Sequence, residues 1–193
     1  LKDKPLAMIQ REIDRSTPEQ PGLIIAKMNS LTHIDIINAL YKASQAGVKI
    51  QLNIRGICML VPGVKGLSEN INVIAIIDRY LEHSRIFYFQ NAGSPELYCS
   101  SADWMSRNLD RRIELMFPIL DKNAFSDVKS ILDTYFLDNE NAMKLTSTGD
   151  WIPVSIENNQ PSVRAQTVLY KKYKSLNESK KTNKNKQFIV RRK

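Results

Sequence analysis

Residues 81–118, LEHSRIFYFQNAGSPELYCSSADWMSRNLDRRIELMFP, hold the side chains of this chain best suited to chemistry. His83, one of only two histidines, stands just before the β-branched and aromatic run Ile86-Phe87-Tyr88-Phe89. Asn91-Ala92-Gly93-Ser94-Pro95 is a turn signal and residues 96–100 read as a second short strand, so the spacing predicts a hairpin. Ser100, Ser101, Asp103 and Asn108 follow, together with Arg107, Arg111 and Arg112, ahead of the apolar run 113–117. A histidine at the mouth of one strand, small polar groups at the end of the next and arginines beyond them suit phosphate. Arginine offers a fixed fork of donors to phosphoryl oxygens, and histidine can accept, donate or carry a phosphoryl group. A histidine beside a strand can equally be structural, and these residues alone leave both readings open.

The preceding pattern supplies elements to hold such a site. Leu6, Ile9 and Ile13 recur at helical spacing over 6–15, and two prolines and a glycine within 17–22 break that helix. Residues 23–26 are a short apolar run closed by Lys27, which predicts a buried strand. Thr32 is placed to cap a helix over 33–46, with Ile36, Ile37, Leu40 and Ala43 on one face and Gly47 ending it. Residues 48–54 alternate at period two, so strand, helix and strand follow in order, which favours a parallel crossover. Ligands of open α/β sheets gather beyond the carboxyl ends of the strands. Lys27 and Asn29 fall at that end of the first strand and Arg55 at that end of the second, which makes all three candidates for an anion. An apolar run over 71–77 leads through 78–82 to His83. Further on, 121–136 reads as a helix with Phe125, Val128, Ile131, Leu132 and Tyr135 inward. Residues 139–154 read as irregular and 163–173 as a last helix. His33 reads as a first-turn helix residue without chemistry, and Arg85 and Arg107 as ion-pair partners of Glu82, Asp103 or Asp110. Trp104 reads as a core anchor, and Cys58 and Cys99 as small buried hydrophobes.

Composition bounds the rest. The chain has 193 residues, 42% hydrophobic and 25% charged, enough for one core or one domain with an appendage. No apolar run is long enough to span a bilayer and no secretory pattern opens the sequence, which starts at Leu1 as a fragment would. Two cysteines without metal or redox spacing suit a reduced, cytoplasmic setting, with peripheral contact at a membrane left open. The net charge of +8 suggests nucleic acid until its distribution is read. Ten of the 28 basic residues and one of the 20 acids lie in 171–193, leaving 18 basic and 19 acidic groups in the remaining 170 residues. The expected organisation is a domain over 1–176 and a basic, disordered tail over 177–193. Such a tail attracts any polyanion, so no specific nucleic-acid partner follows from it.

Three stretches, RGICMLVPGVKGLSENI (55–71), DRYLEHSRIFYF (78–89) and SSADWMSRNLDRRIE (100–114), occur in one order and together resemble the C-terminal domain of bacterial polyphosphate kinase. The resemblance runs from about residue 6 to residue 175. It implies an α/β fold, a phospholipase-D-like domain with a mixed, mostly parallel sheet flanked by helices. It also implies reversible, Mg²⁺-dependent transfer of the ATP γ-phosphate to inorganic polyphosphate through a phosphohistidine. In the family that histidine and the Mg²⁺ ligands belong to a preceding domain, so no metal ligand is expected here and the isolated chain is expected to be inactive. His83 matches the family's second active-site histidine, Arg55 its nucleotide-phosphate arginine and Arg112 a further arginine that reaches the phosphates. The partners implied are ATP or ADP, inorganic polyphosphate, the remaining domains of the enzyme and further copies in a homo-oligomer. His83-Ser84-Arg85 stands where the wider phospholipase D pattern has His-x-Lys, and Ser100-Ser101-Ala102-Asp103 where it has Gly-Ser-x-Asn. Both departures count against the alternative of a phosphodiesterase. A non-catalytic polyanion-binding module working through the tail is the remaining alternative.

Overall fold

The computed structural model describes residues 1–155 and 160–182. A single eight-stranded sheet runs through it, with helices on both faces. In chain order the elements are α1 (Asp3–Arg15), β1 (Leu23–Met28), α2 (Ile34–Gln45), β2 (Lys49–Ile54), β3 (Ile71–Ile76), β4 (Ile86–Phe89), β5 (Glu96–Ser100), α3 (Ser106–Leu109), β6 (Met116–Pro118), α4 (Lys122–Phe136), β7 (Ala142–Leu145), β8 (Trp151–Pro153) and α5 (Ala165–Thr182). The strand order is β6-β5-β4-β1-β2-β3-β7-β8.

The α/β class and the mixed sheet are as expected, but the parallel part is narrower than "mostly parallel". Only β1 with β2 and β2 with β3 are parallel, and the five flanking pairings are antiparallel. The central strands β1 and β3 are mostly apolar because both their faces are covered, whereas β2 carries Lys49, Gln51 and Asn53 among its apolar residues. In β1, Ile24, Ala26 and Met28 pack into the core under α1 and α2, whereas Ile25 packs on the other face with Leu132 of α4. Ile74 and Ile76 of β3 meet Tyr135 of α4 and Ala165 of α5. The inward residues expected on α4 are those that fill this face.

Mixed pairing brings opposite chain ends to one edge of the sheet. Lys27 of β1 lies beside Ile86, the first residue of antiparallel β4, and Ile86 lies beside Cys99 near the end of β5. The last residues of β1 and β2, the segment before β4 and the segment after β5 therefore share one edge. Trp104 anchors that edge: it is 1% exposed, stacks on Phe87 with ring centroids 4.8 Å apart, and its carbonyl accepts from the backbone N–H groups of Thr32 and His33 at 2.9 Å each.

Several expectations change. The cap of α2 is His33, whose Nδ1 accepts from the Asp35 backbone at 3.2 Å, and Thr32 is tied to Trp104 instead. Residues 139–154 are not irregular, because β7 and β8 form a hairpin paired onto β3. Strands of four and three residues carry too little pattern to be legible, and the open edge of β3 decides them. Asp138 fixes this corner, its carboxylate accepting from the backbone of Asn141, Ala142 and Ala165 at 2.7–3.0 Å. The last helix does not stop near 173 but continues past Leu176 to Thr182, so the boundary expected at 176 falls inside α5. Residues 183–193 of the expected tail lie outside the described residues.

Trp104→Ala should lower stability by about 3–5 kcal/mol, since it opens a cavity in the core and unstacks Phe87. Chemical denaturation measures this, and a loss below about 1 kcal/mol would show that Trp104 is no anchor.

Candidate functional site

The Asp103 carboxylate lies at the centre of this edge, 3% exposed. One of its oxygens accepts from the Asn29 backbone at 2.7 Å, and the Asn29 side-chain amide donates to both oxygens at 3.1 and 3.2 Å. Arg85, just before β4, donates through Nε and Nη2 at 3.1 Å each. Burial alone would push the Asp103 carboxyl up, but these donors outweigh it and hold the group below the ordinary carboxylate value.

Asn29 then passes the order on. Its Oδ1 accepts from Arg55 Nε at 2.8 Å, and the same Nε donates to the Glu82 carbonyl at 2.7 Å. Both contacts use Nε, so the two terminal nitrogens of Arg55 have no hydrogen-bond partner among the described residues. Arg55 has no carboxylate partner there either. Its side chain lines a cavity of about 250 Å³ with Ile54, Ile77, Asn141 and Trp151 among the walls. His83 is exposed, and Arg85 Nη1 sits 3.3 Å from its Nδ1 and donates to its carbonyl at 3.0 Å. Arg85 therefore ties His83 to Asp103.

Lys27 takes another place than a strand-end lysine open to solvent. It is 1% exposed, with Nζ 3.3 Å from Glu82 Oε2, donating to the Ser84 carbonyl at 3.1 Å and lying 5.1 Å from the Tyr135 ring centre. Burial pulls its pKa below the ordinary lysine value despite Glu82. It therefore supports the 82–84 segment from beneath. Glu82 also accepts from Gln166 Nε2 at 2.8 Å, and Gln166 bonds both the N–H and the carbonyl of Tyr80 at 2.8 Å. One residue of α5 thus holds the strand-free segment that carries His83.

Arg112 stands apart from this group. It is 59% exposed at its side chain, with Nε 3.5 Å from Glu114, and it does not line the cavity beside Arg55. Glu114 in turn holds Ser101 and Asn108, the latter donating at 2.7 Å. Ser101 belongs to the same 101–103 turn as Asp103, which is as near as the described contacts bring Arg112 to Arg55. The described contacts do not bring Arg112 together with Arg55. Arg85, read as an ion-pair residue, is one, with Asp103. His33 has more than a helical role, since its Nε2 lies 3.1 Å from Asp110. Cys58 and Cys99 are partly buried and unbridged, and burial pushes both thiols up. Gln166 carried no sequence signal, because its contacts lie 84 and 86 residues away.

Among the described residues no group of three His, Cys, Asp or Glu side chains could hold a metal ion. The carboxylates closest to the site, Asp103 and Glu82, are already taken by Arg85, Asn29, Lys27 and Gln166. These residues do not fit Mg²⁺.

Residues 1–166 match the family model described as polyphosphate kinase C-terminal domain 2. The chain belongs to this family. Polyphosphate kinase of Rhodopirellula baltica is 49% identical over 170 residues, which is 88% of this chain and 20% of that protein. The Pseudomonas aeruginosa polyphosphate kinase is 50% identical over 172 residues, 89% of this chain and 25% of that protein. The crystal structure of polyphosphate kinase from Porphyromonas gingivalis superposes with a TM-score of 0.87 at 40% identity, over 93% of this chain and 27% of that one. The chain thus spans about a fifth to a quarter of the length of these polyphosphate kinases. NucT from Helicobacter pylori superposes over 70% of this chain with a TM-score of 0.51 at 14% identity, a likeness of fold alone.

The folded-state pKa of Asp103 lies below its unfolded value of about 3.9, so its stabilisation is complete above that pH and is lost as pH falls through the folded value. Asp78, held down by Arg164, acts in the same direction, while Glu12, pushed up mainly by burial, acts in the opposite one. Arg85→Gln should therefore melt lower than wild type at neutral pH, with the gap closing towards pH ~2. Thermal melts across that range measure it; a gap that stays constant would remove Asp103 as the acid-linked group.

Proposed function

We propose that this chain supplies one half of the phosphate site of a polyphosphate kinase that moves the ATP γ-phosphate reversibly onto inorganic polyphosphate. The observation that supports it best is Arg55. Its Nε is clamped between Asn29 and Glu82, its terminal nitrogens are unpartnered among the described residues, and His83 follows Glu82 directly. Phosphoryl transfer asks the protein for alignment and for neutralisation of charge on the transferring oxygens more than for covalent chemistry. A guanidinium with two free donors and no carboxylate to satisfy can give a phosphoryl group a bidentate contact. His83 can donate to or accept from the same group. Arg112, on the outer turn, adds a more distant positive charge.

In this reading the phosphoryl group moves from ATP to a histidine elsewhere in the enzyme, releasing ADP. A terminal oxygen of polyphosphate then attacks that phosphohistidine. Arg55 and His83 hold the phosphates during both steps. Lys27 and Asn29 position rather than touch them: Lys27 is spent on Glu82 and Ser84, and Asn29 on Asp103 and Arg55. Any Mg²⁺ accompanying the nucleotide would take its protein ligands from outside the described residues. The other partners proposed are the rest of the enzyme and further copies of it, in the cytoplasm where ATP is at hand. A phosphodiesterase has little to support it, because Arg85, standing at the lysine position of that pattern, is fastened to Asp103.

Arg55→Ala and His83→Ala should each lower synthesis by the complete enzyme about 10²–10³-fold while the melting temperature stays within a few degrees. Arg112→Ala should cost less. Wild-type rates in either of the first two variants would remove that residue from the site. Calorimetry with a short polyphosphate and this chain should show saturable binding that Arg55→Ala abolishes. No binding by a folded chain would mean that the half-site needs the rest of the enzyme to close it.

A further inference from the structure

The helix α5 carries charge that the phosphate site does not use. Arg164, Thr167, Lys171 and Lys174 follow at spacings of three and four, so they share one side of the helix end and body. With Asp78, Arg79 and Tyr80 they line a cleft of about 370 Å³. Its one carboxylate, on Asp78, is 2% exposed and is taken by the Arg164 guanidinium, which holds it far below the ordinary carboxylate range. Arg79, Lys171 and Lys174 have no ion-pair partner among the described residues. Among the other acids, Asp138 and Glu140 act on Arg164 and already accept from backbone N–H groups and from Ser162, Glu82 is engaged by Lys27 and Gln166, and Glu178 lines the adjoining cavity with Lys174. Three uncompensated cations around one concavity repel each other and gather counter-ions, and a polyanion that displaces those counter-ions is favoured.

We propose that this cleft is a second contact for the polyphosphate chain, a track for phosphates beyond those held at Arg55 and His83. The proposal rests on the polyphosphate kinase reading above. Two observations link the cleft to that site. Tyr80, one of its walls, lies three residues before His83, and Gln166 ties Tyr80 to Glu82. The sequence continues the charge, since ten Lys or Arg fall in 171–193. The cleft favours a bare polyanion over a nucleic acid, because the Arg79 guanidinium already covers a face of the Tyr80 ring at 5.4 Å, where a base would stack.

The complete enzyme carrying Arg79→Gln, Lys171→Gln and Lys174→Gln tests this, beside wild type, with long polyphosphate and with a primer of a few phosphates. The track predicts a KM for long chains raised about tenfold, with a shallower salt dependence, and an unchanged KM and kcat for the short primer. Equal effects on both lengths, or none, would overturn it. Should the triple variant melt early, the Lys171→Gln/Lys174→Gln pair, both on the exposed side of α5, gives the same comparison. A wild-type enzyme that makes no polyphosphate would sink the kinase reading and the track with it. An active wild type whose long-chain KM is untouched in the variant would sink the track alone, and loss of single-stranded RNA binding in that same variant would reassign the cleft to nucleic acid.

Discussion

The site depends on one buried carboxylate and the donors that satisfy it. Asp103 is joined by Asn29, 74 residues earlier in the chain, and by Arg85 from the segment before β4. An ionised carboxylate left unpaired at that depth costs several kcal/mol, so the turn after β5 can close only when both donors have arrived. A buried ion pair adds little net stability, because desolvation consumes most of the attraction. Its effect here is geometric. Asn29 holds Arg55 and Arg85 holds His83, so two side chains from separate connecting segments are set relative to the same two oxygens.

The charges around Asp103 are unevenly matched. Arg85 has Asp103, and Lys27 has Glu82. Arg55 touches an amide oxygen and a backbone carbonyl but no carboxylate. The unmatched positive charge of the group is thus on the residue with free donors, an arrangement that suits an incoming phosphate. Had a carboxylate held Arg55 instead, each phosphate contact would first have to break an ion pair. Arginine also suits this position better than lysine would, because it can be clamped at Nε and still offer two nitrogens in one plane.

The sheet explains why such distant residues meet. Parallel pairing of β1, β2 and β3 places three strand ends on one edge, and antiparallel β4 and β5 bring the segment before β4 and the segment after β5 to the same edge. The ligand-binding edge of an open α/β sheet is thereby enlarged by loops that enter from the opposite direction. On the helical side, α5 reaches this edge through Gln166 and Arg164, which grip residues 78–82. That grip makes the last helix part of the frame under His83, in place of a mere connection to a basic tail.

Local pattern was enough for the elements with strong periodicity: α2, α4, the continuous apolar strands β1 and β3, and the hairpin around Asn91 and Gly93. The position of Arg55 after β2, and of His83 before β4, was also legible, because strand ends can be read from where apolar runs stop. What could not be read were elements and roles created by partners distant in the chain. The strands β7 and β8 are too short to declare themselves and exist because β3 offers an open edge. Lys27 looks like a solvated strand-end residue, yet antiparallel β4 and the 82–84 segment cover it, so a candidate ligand contact becomes a support. Arg112 and Arg55 look equivalent as arginines near strand ends, but Glu114 engages one and Asn29 the other. The chain alone therefore determined which residues carry usable chemistry. Tertiary structure decided which of those charges are spent on each other and which are left for a ligand, because that depends on neighbours tens of residues away.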